Sequence, residues 1–322
     1  MRNLKRHVLV AALAMLSATG FAQTYPNRAI TIVVPFTPGG AVDAVARTVA
    51  SHLSTVWEQP VLVDNRAGAG GAIGAQHVAR SSADGYTLLL GSIGPMSINP
   101  SLQARLPYDP VRHFEPIALL AKTPAILVVQ PNAPANNVSS FVSWLKNKPD
   151  RLNYGSAGTG NVTHLVAEYF MNQAGIKANH IPYKGSSQAV TDLLGGQLDF
   201  MFDVVPTAQP YVKSGQFKAL AVTTLARSRA LPQVPTLDEL GYKGFDVSSW
   251  FGLFAPAGTP RALVDKINAE VVRGLQSGPG LEKLHMIGAE PASGSPDEFK
   301  LFLAQETQRW KKVIQDASIK AE

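Results

Sequence analysis

The chain has 322 residues, 45% of them hydrophobic and 16% charged, with no cysteine and with 29 Lys and Arg against 23 Asp and Glu, a net charge of +6. Three of the basic residues, Arg2, Lys5 and Arg6, lie at the start; without them the balance is 26 against 23, a net +3 with no basic stripe. These numbers argue against a disordered chain, a disulfide scaffold, thiol chemistry and a nucleic-acid partner, and predict a globular α/β protein held together by core burial alone.

Residues 1–22 read as a secretory leader: the three basic residues precede an apolar run over 8–16, and small residues follow up to an expected cleavage after Ala22. The run is shorter than the roughly 20 residues that span a bilayer. A strand over 29–34 then breaks on Pro38-Gly39-Gly40 and runs into a helix with Val42, Val45, Ala46, Val49, Leu53 and Val56 at helical spacing. Further strands are expected over 60–64, 86–90 and 116–121, alternating with helices such as 72–80. A second series follows, with strands over 125–130, 152–155, 180–183, 198–202 and 218–223, and helices over 139–148, 161–174, 187–194 and 208–214. A last strand is expected over 244–255, then a helix capped by Thr259 with Pro260 in its first turn. The final helix opens on Ser295-Pro296-Asp297-Glu298, which has capping-box spacing. The layout is two α/β lobes, each with a parallel or mixed sheet. The tail returns to the first lobe, so the chain crosses near 122–124 and 247–249 and forms a two-strand hinge over a cleft.

Glycine turns recur at strand-to-helix junctions. Gly39-Gly40, the run Gly68-Ala69-Gly70-Gly71, the run Gly155 to Gly160, and Gly185-Ser186 each precede a helical pattern. One such loop simply closes a tight turn. Four together point to a shared anion or polar-ligand site, because a helix start presents unpaired N–H groups and the positive end of its dipole.

Catalytic and metal signals are weak. The seven histidines are scattered, no H-E-x-x-H occurs, and the nucleophile elbow fails because Tyr154 and Leu90 stand where glycine is needed before Ser156 and Ser92. Ser143-Trp144-Leu145-Lys146 matches S-x-x-K without its companion motifs. Gly68 to Gly74 has the spacing G-x-G-x-x-x-G, which is not the dinucleotide fingerprint. No metal or cofactor is expected.

Several motifs occur in a fixed order: Tyr25-Pro26, Pro35-Phe36-Thr37-Pro38-Gly39-Gly40 with Asp43 and Arg47, Asn65-Arg66 with Gly68 to Gly71, and Asp84-Gly85-Tyr86-Thr87-Leu88-Leu89. Tyr154-Gly155-Ser156 with Gly158 and His164-Leu165, Pro182-Tyr183-Lys184-Gly185, and Phe254-Ala255-Pro256-Ala257-Gly258-Thr259-Pro260 complete the set. In this order they resemble the Bug-type extracytoplasmic receptors of tripartite tricarboxylate transporters over the whole chain after the leader. The resemblance implies a two-lobe periplasmic binding protein type II fold, with lobe 1 at 23–123 plus 248–322 and lobe 2 at 124–247. It implies a periplasmic monomer that captures a small carboxylate (a di- or tricarboxylate, an amino acid or an aromatic acid) and delivers it to the membrane subunits of such a transporter.

The family's binding loops map onto Phe36, Gly40, Ala41 and Asp43, onto Ala67, Gly68 and Ala69, and onto Ser92. In the facing lobe they map onto Ser156, Gly158, Thr159, Gly160, His164, Tyr183, Gly185, Ser186 and Asp203. Ala41-Val42 and Gly94-Pro95-Met96 depart from the family pattern. Asp43 either complements the helix dipole or meets a donor group of the ligand, and His164 either caps its loop or lines the cleft. Asp203 orients a polar substituent or caps its loop, while Trp250 and Phe251 are read as hinge packing. The competing reading is a periplasmic hydrolase using Ser156 with His164, for which no orienting third residue is evident. A receptor that feeds a signalling protein is not separable from one that feeds a transporter.

Overall fold

The computed structural model describes residues 25–103, 105–148 and 152–316; the leader expected at 1–22 lies outside them. The first half-sheet begins with β1 (Ile30–Val34), which pairs in parallel with β2 (Val61–Asn65) and β3 (Thr87–Ser92). Between them run α1 (Ala41–Trp57) and α2 (Ala72–Ala79). β1 buries nearly every side chain, as a central strand covered on both faces must. α1 buries Val45, Ala46, Val49 and Leu53 as the spacing predicts, and Ala41 besides, while Val42 is half-buried and Val56 near the end is exposed. After β3 the chain makes a π turn over Gly94–Ile98 and the single turn α3 (Asn99–Leu102), neither of which the sequence reading names.

The largest departure is β4. Two strands were expected over 116–121 and 125–130; one 16-residue strand, Phe114–Val129, runs through Pro124 without a break. The proline is tolerated because ladder partners change there. Residues up to Pro124 pair with β9 (Ser248–Pro256), and residues from Ala125 pair instead with β7 (Phe200–Val204) and β8 (Lys218–Val222).

The second half-sheet holds β5 (Asn153–Ser156), β6 (Asn179–Pro182), β7 and β8, with α4 (Val138–Asn147), α5 (Val162–Ala174), α6 (Ser186–Leu194) and α7 (Val205–Lys213). β5 is parallel to both β6 and β7. The continuous order is β2-β1-β3-β9-β4-β7-β5-β6, with β8 and the short β10 (Glu290–Pro291) also on β4. The result is two α/β lobes sharing one long strand. The second crossing is at β9, whose first residue Ser248 pairs with Pro124, while the preceding Val247 N–H donates to Thr223 O (2.8 Å) in the second lobe.

The tail packs back on the first half-sheet as α8 (Arg261–Gln276), α9 (Gly278–Met286) and α10 (Pro296–Asp316). α10 has the expected capping box, with Ser295 N–H donating to Glu298 Oε2 (2.7 Å) and Glu298 N–H to Ser295 Oγ (3.2 Å). Thr259 does not cap α8. Its hydroxyl instead donates to Pro256 O (2.8 Å) and closes the turn before the helix. Among the described residues no helix is long and apolar enough to cross a membrane.

Trp250 anchors the crossing strand to the tail. It is 1% exposed, meets Phe299 and Phe302 edge-on, and donates its indole N–H to Glu306 Oε2 (3.2 Å). Replacing it with alanine leaves a large void and a buried carboxylate without its donor. Trp250→Ala is expected to cost about 3–5 kcal/mol in chemical denaturation; Trp250→Phe, which keeps the ring contact, is expected to recover most of it.

Candidate functional site

The two lobes are shut on each other around a narrow cleft with a cavity volume of about 30 Å³. Three helix starts meet there. Gly40 to Asp43 come from α1, Asn161 to Thr163 from α5 and Ser186 from α6, and all of them line the cleft. Ser92 at the end of β3 and Ser249 with Phe251 on the crossing strand form its floor, with Phe36, Thr37, Ala157 and Val204 completing the wall. No Lys, Arg or His is among the lining residues.

Backbone donors supply the positive potential instead. The N–H groups of Gly40, Val42, Asp43, Val162 and Ser186 reach no acceptor among the described residues. Two hydroxyl oxygens on the lining, Thr37 Oγ1 and Ser92 Oγ, are buried and without a partner. A wall of unpaired donors at three helix N-termini stabilises negative charge.

Asp43 is fully occupied with holding its own loop. One carboxylate oxygen accepts from Gly39 N–H (3.1 Å) and Arg47 Nε (2.8 Å), and the other from Arg47 Nη2 (3.1 Å) and Asn65 Nδ2 (3.0 Å). Burial alone would raise its pKa, but the hydrogen bonds from Arg47, Gly39 and Asn65 outweigh it and hold the carboxyl below its ordinary value. What Asp43 has left to offer a ligand is its amide.

The loop before α5 is braced internally. Gly158 N–H donates to Ser156 Oγ (3.1 Å), Gly160 N–H to His164 Nδ1 (3.3 Å) and Ala157 N–H to Thr163 Oγ1 (2.8 Å). Ser156 Oγ meets His180 Nε2 at 2.6 Å, not His164, and the His164 and His180 rings stack at 4.1 Å. Burial, reinforced by the neighbouring His180, pushes His164 down to about 3. Neutral His164 accepts the Gly160 N–H; a proton on Nδ1 would break that bond.

The other residues singled out from the sequence sit around the cleft rather than on its lining. Ala67, Gly68 and Ala69 form a loop whose amides reach no acceptor among the described residues. Tyr183 donates its hydroxyl to Asp192 Oδ2 (2.5 Å). Asp203 lies fully buried beneath α6, where Oδ1 accepts from Ser186 Oγ (2.7 Å) and Val204 N–H (2.8 Å) while Oδ2 has no partner. Burial raises Asp203 to about 7 against those two hydrogen bonds.

Two glycines form the seam. A Cβ on Gly70 (φ 60°) would stand 2.3 Å from Thr159 O in the facing lobe, and one on Gly185 2.3 Å from Thr37 Oγ1. Thr159 and Gly185 therefore belong to the closing surfaces. The sequence reading did not name Thr37, Asn161, Val162, Thr163, Val204 or Ser249 as lining residues, and it placed Phe251 in hinge packing, whereas the ring faces the cleft. Strand alternation at 249, 250 and 251 held that signal, with Trp250 turned to the core and its two neighbours to the ligand side.

Comparison with known proteins followed the same lines. The model of the tripartite tricarboxylate transporter family receptor matches residues 45–319. Protein BugT of Bordetella pertussis is 38% identical over 310 residues, covering 96% of this chain and 95% of its own length. Among solved structures, periplasmic binding protein BugD superposes with a TM-score of 0.89 at 37% identity, covering 92% of this chain and 100% of that one. Rpa4515 of R. palustris, solved with adipate, gives 0.90 at 38% identity, covering 92% and 99%.

Two outcomes follow. Gly70→Ala is expected to stop the lobes short of contact, lowering ligand affinity at least about tenfold, and to cost the free protein about 1 kcal/mol because alanine is strained at φ 60°. For His164, the folded chain stays neutral down to about pH 3 while the unfolded chain takes up a proton below about 6.5. The stability is therefore complete above pH 6.5 and falls as the medium is acidified, by about 1.4 kcal/mol per pH unit between roughly pH 6 and 4. Asp203, raised to about 7, contributes a slope of the opposite sign over the same range in both proteins, so the difference in stability between wild type and His164→Asn, followed by denaturation across that range, is what should carry the His164 slope.

Proposed function

The chain belongs to the tripartite tricarboxylate transporter receptor family, and from that premise we propose that it is a periplasmic receptor for a small carboxylate, which it hands to the membrane subunits of such a transporter. The observation that carries the carboxylate reading is the cleft itself: three helix starts with unpaired amides converge on a space bounded by Ser92 and Thr37 hydroxyls, with no cationic side chain on the lining. Phe36, Val162 and Phe251 suit the hydrocarbon part of the acid, and the adipate held by Rpa4515 is of that class.

The proposal assigns lobe 1 to 23–123 plus 248–322 and lobe 2 to 124–247, a division supported by the change of ladder partners between Pro124 and Ala125 and by the entry of β9 at Ser248. It keeps the leader at 1–22 as the export signal and the protein as a monomer. It places the anion at the amides of Gly40 to Asp43, Val162 and Ser186, with the loops at 67–69 and 157–160 shaping the closed site. Ligand capture is favoured because the two sets of donors meet only when the lobes are shut.

The hydrolase reading has less behind it. Ser156 is 0% exposed, accepts the Gly158 N–H, and is paired with His180 behind the loop rather than facing the cleft. A hydroxyl without access to the ligand cannot attack it.

A panel of acids tests the proposal directly: adipate, succinate, glutamate, benzoate and citrate, each with its amide as the uncharged control. A bound acid at about 100 times its dissociation constant is expected to raise the melting temperature by roughly 5–10 °C and to be recovered unchanged by NMR. A rise with the amides alone, or consumption of an acid, would overturn it.

A further inference from the structure

One buried hydrogen bond joins the binding turn of one lobe to a residue of the other lobe that is not on the cleft lining. Ala41, the first residue of α1, donates its N–H to Thr207 Oγ1 at 3.2 Å, and both residues are buried, at 5% and 8% exposure. Thr207 sits in the first turn of α7, directly after β7 in the other lobe. Nearer the crossing, the lobes also meet through Arg229 Nε and Glu290 Oε1 (3.7 Å), Arg309 Nη2 and Asp246 O, and the Gln209 amide, which reaches Met286 O and Ile287 O; the other two contacts beside the binding turn are weaker. Ser187 Oγ to Pro38 O (2.8 Å) is exposed, and Thr37 N–H to Lys184 O is long, at 3.4 Å.

We propose that Thr207 is a positioning residue that latches the two lobes: its hydroxyl takes the first N–H of α1 and so holds the closed state together whether or not the cleft is filled. The bond has two effects. It withdraws a single donor from the anion-binding turn, leaving Gly40, Val42 and Asp43 to the ligand, and it fixes the orientation of that turn relative to the facing lobe. A ligand then enters donors whose geometry is already set, so less ordering accompanies binding. The proposal rests on the receptor reading only in that lobe closure is what such a receptor uses; the bond itself needs no carboxylate.

A ligand-free measurement therefore separates the two. Because the chain has no cysteine, spin labels can be placed at Leu62→Cys on the outer strand β2 and Lys177→Cys before the opposite edge strand β6, both exposed positions in different lobes. Electron–electron distance measurements on the labelled, ligand-free chain are expected to show a population at the closed separation. Thr207→Val keeps the shape and removes the hydroxyl, and it is expected to lower the closed-to-open ratio about tenfold. Thr207→Ser is expected to retain the closed population. Unchanged melting temperatures and far-ultraviolet dichroism in both variants would show that the lobes themselves are intact.

A Thr207→Val distribution that matches the wild type, including the case in which both are open, overturns the latch, as does failure of Thr207→Ser to retain the closed population. If Thr207→Val unfolds, Thr207→Ala and Ala41→Pro, which removes the donor at the first helical position, give the same reading from either side. Failure of every acid to bind would remove the carboxylate reading and leave this result standing.

Discussion

Everything in this molecule is arranged around a cost: main-chain N–H groups at the start of a helix have no partner inside it, and burying them unpaired is unfavourable. Here the starts of α1, α5 and α6 are brought face to face across a narrow gap, so several such groups are left unpaired in one place. The gap is stable only if water or an anion fills it. A ligand of negative charge would meet oriented dipoles that do not have to reorganise, with no cationic side chain on the lining.

The fold turns that local demand into motion. A single strand, β4, serves both half-sheets, and β9 leaves the second lobe to pair with it. These crossings join the two half-sheets, and the helix starts of both lobes line the cleft between them. The seam at Gly70 and Gly185 lets main chain touch main chain, which sets how completely the gap can shut. Behind it, the stacked His164 and His180 rings and the Asp43 brace hold loops that would otherwise adopt many shapes.

Much of this was legible in the residues. Helical spacing after Gly40 and the strand-helix alternation gave the elements within a few positions, because α1 buries one face at helical spacing and β1 is a short apolar run buried on both faces. The single long β4 was not legible: Pro124 reads locally as a break, and only the exchange of partner strands shows why it is none. The helix starts were visible as glycine turns, yet which of their amides remain unpaired depends on side chains that return from elsewhere, such as Thr163 to Ala157 N–H. Ser156 paired with His180 instead of His164 for the same reason, since β5 and β6 lie side by side with Tyr154 opposite His180. Thr207 belongs to no motif. Its partner is 166 positions away, and sequence spacing carries no information at that range.

Holding charge with the main chain has an evolutionary corollary. Every residue except proline carries the same amide, so codon changes around the walls at Phe36, Val162 and Phe251 can reshape the space for a carbon skeleton without removing the N–H groups that the proposed receptor would offer an acidic end. A receptor that used an arginine for that purpose would lose its anchor to one nucleotide substitution. Here the change would alter which skeleton fits before it altered the row of donors.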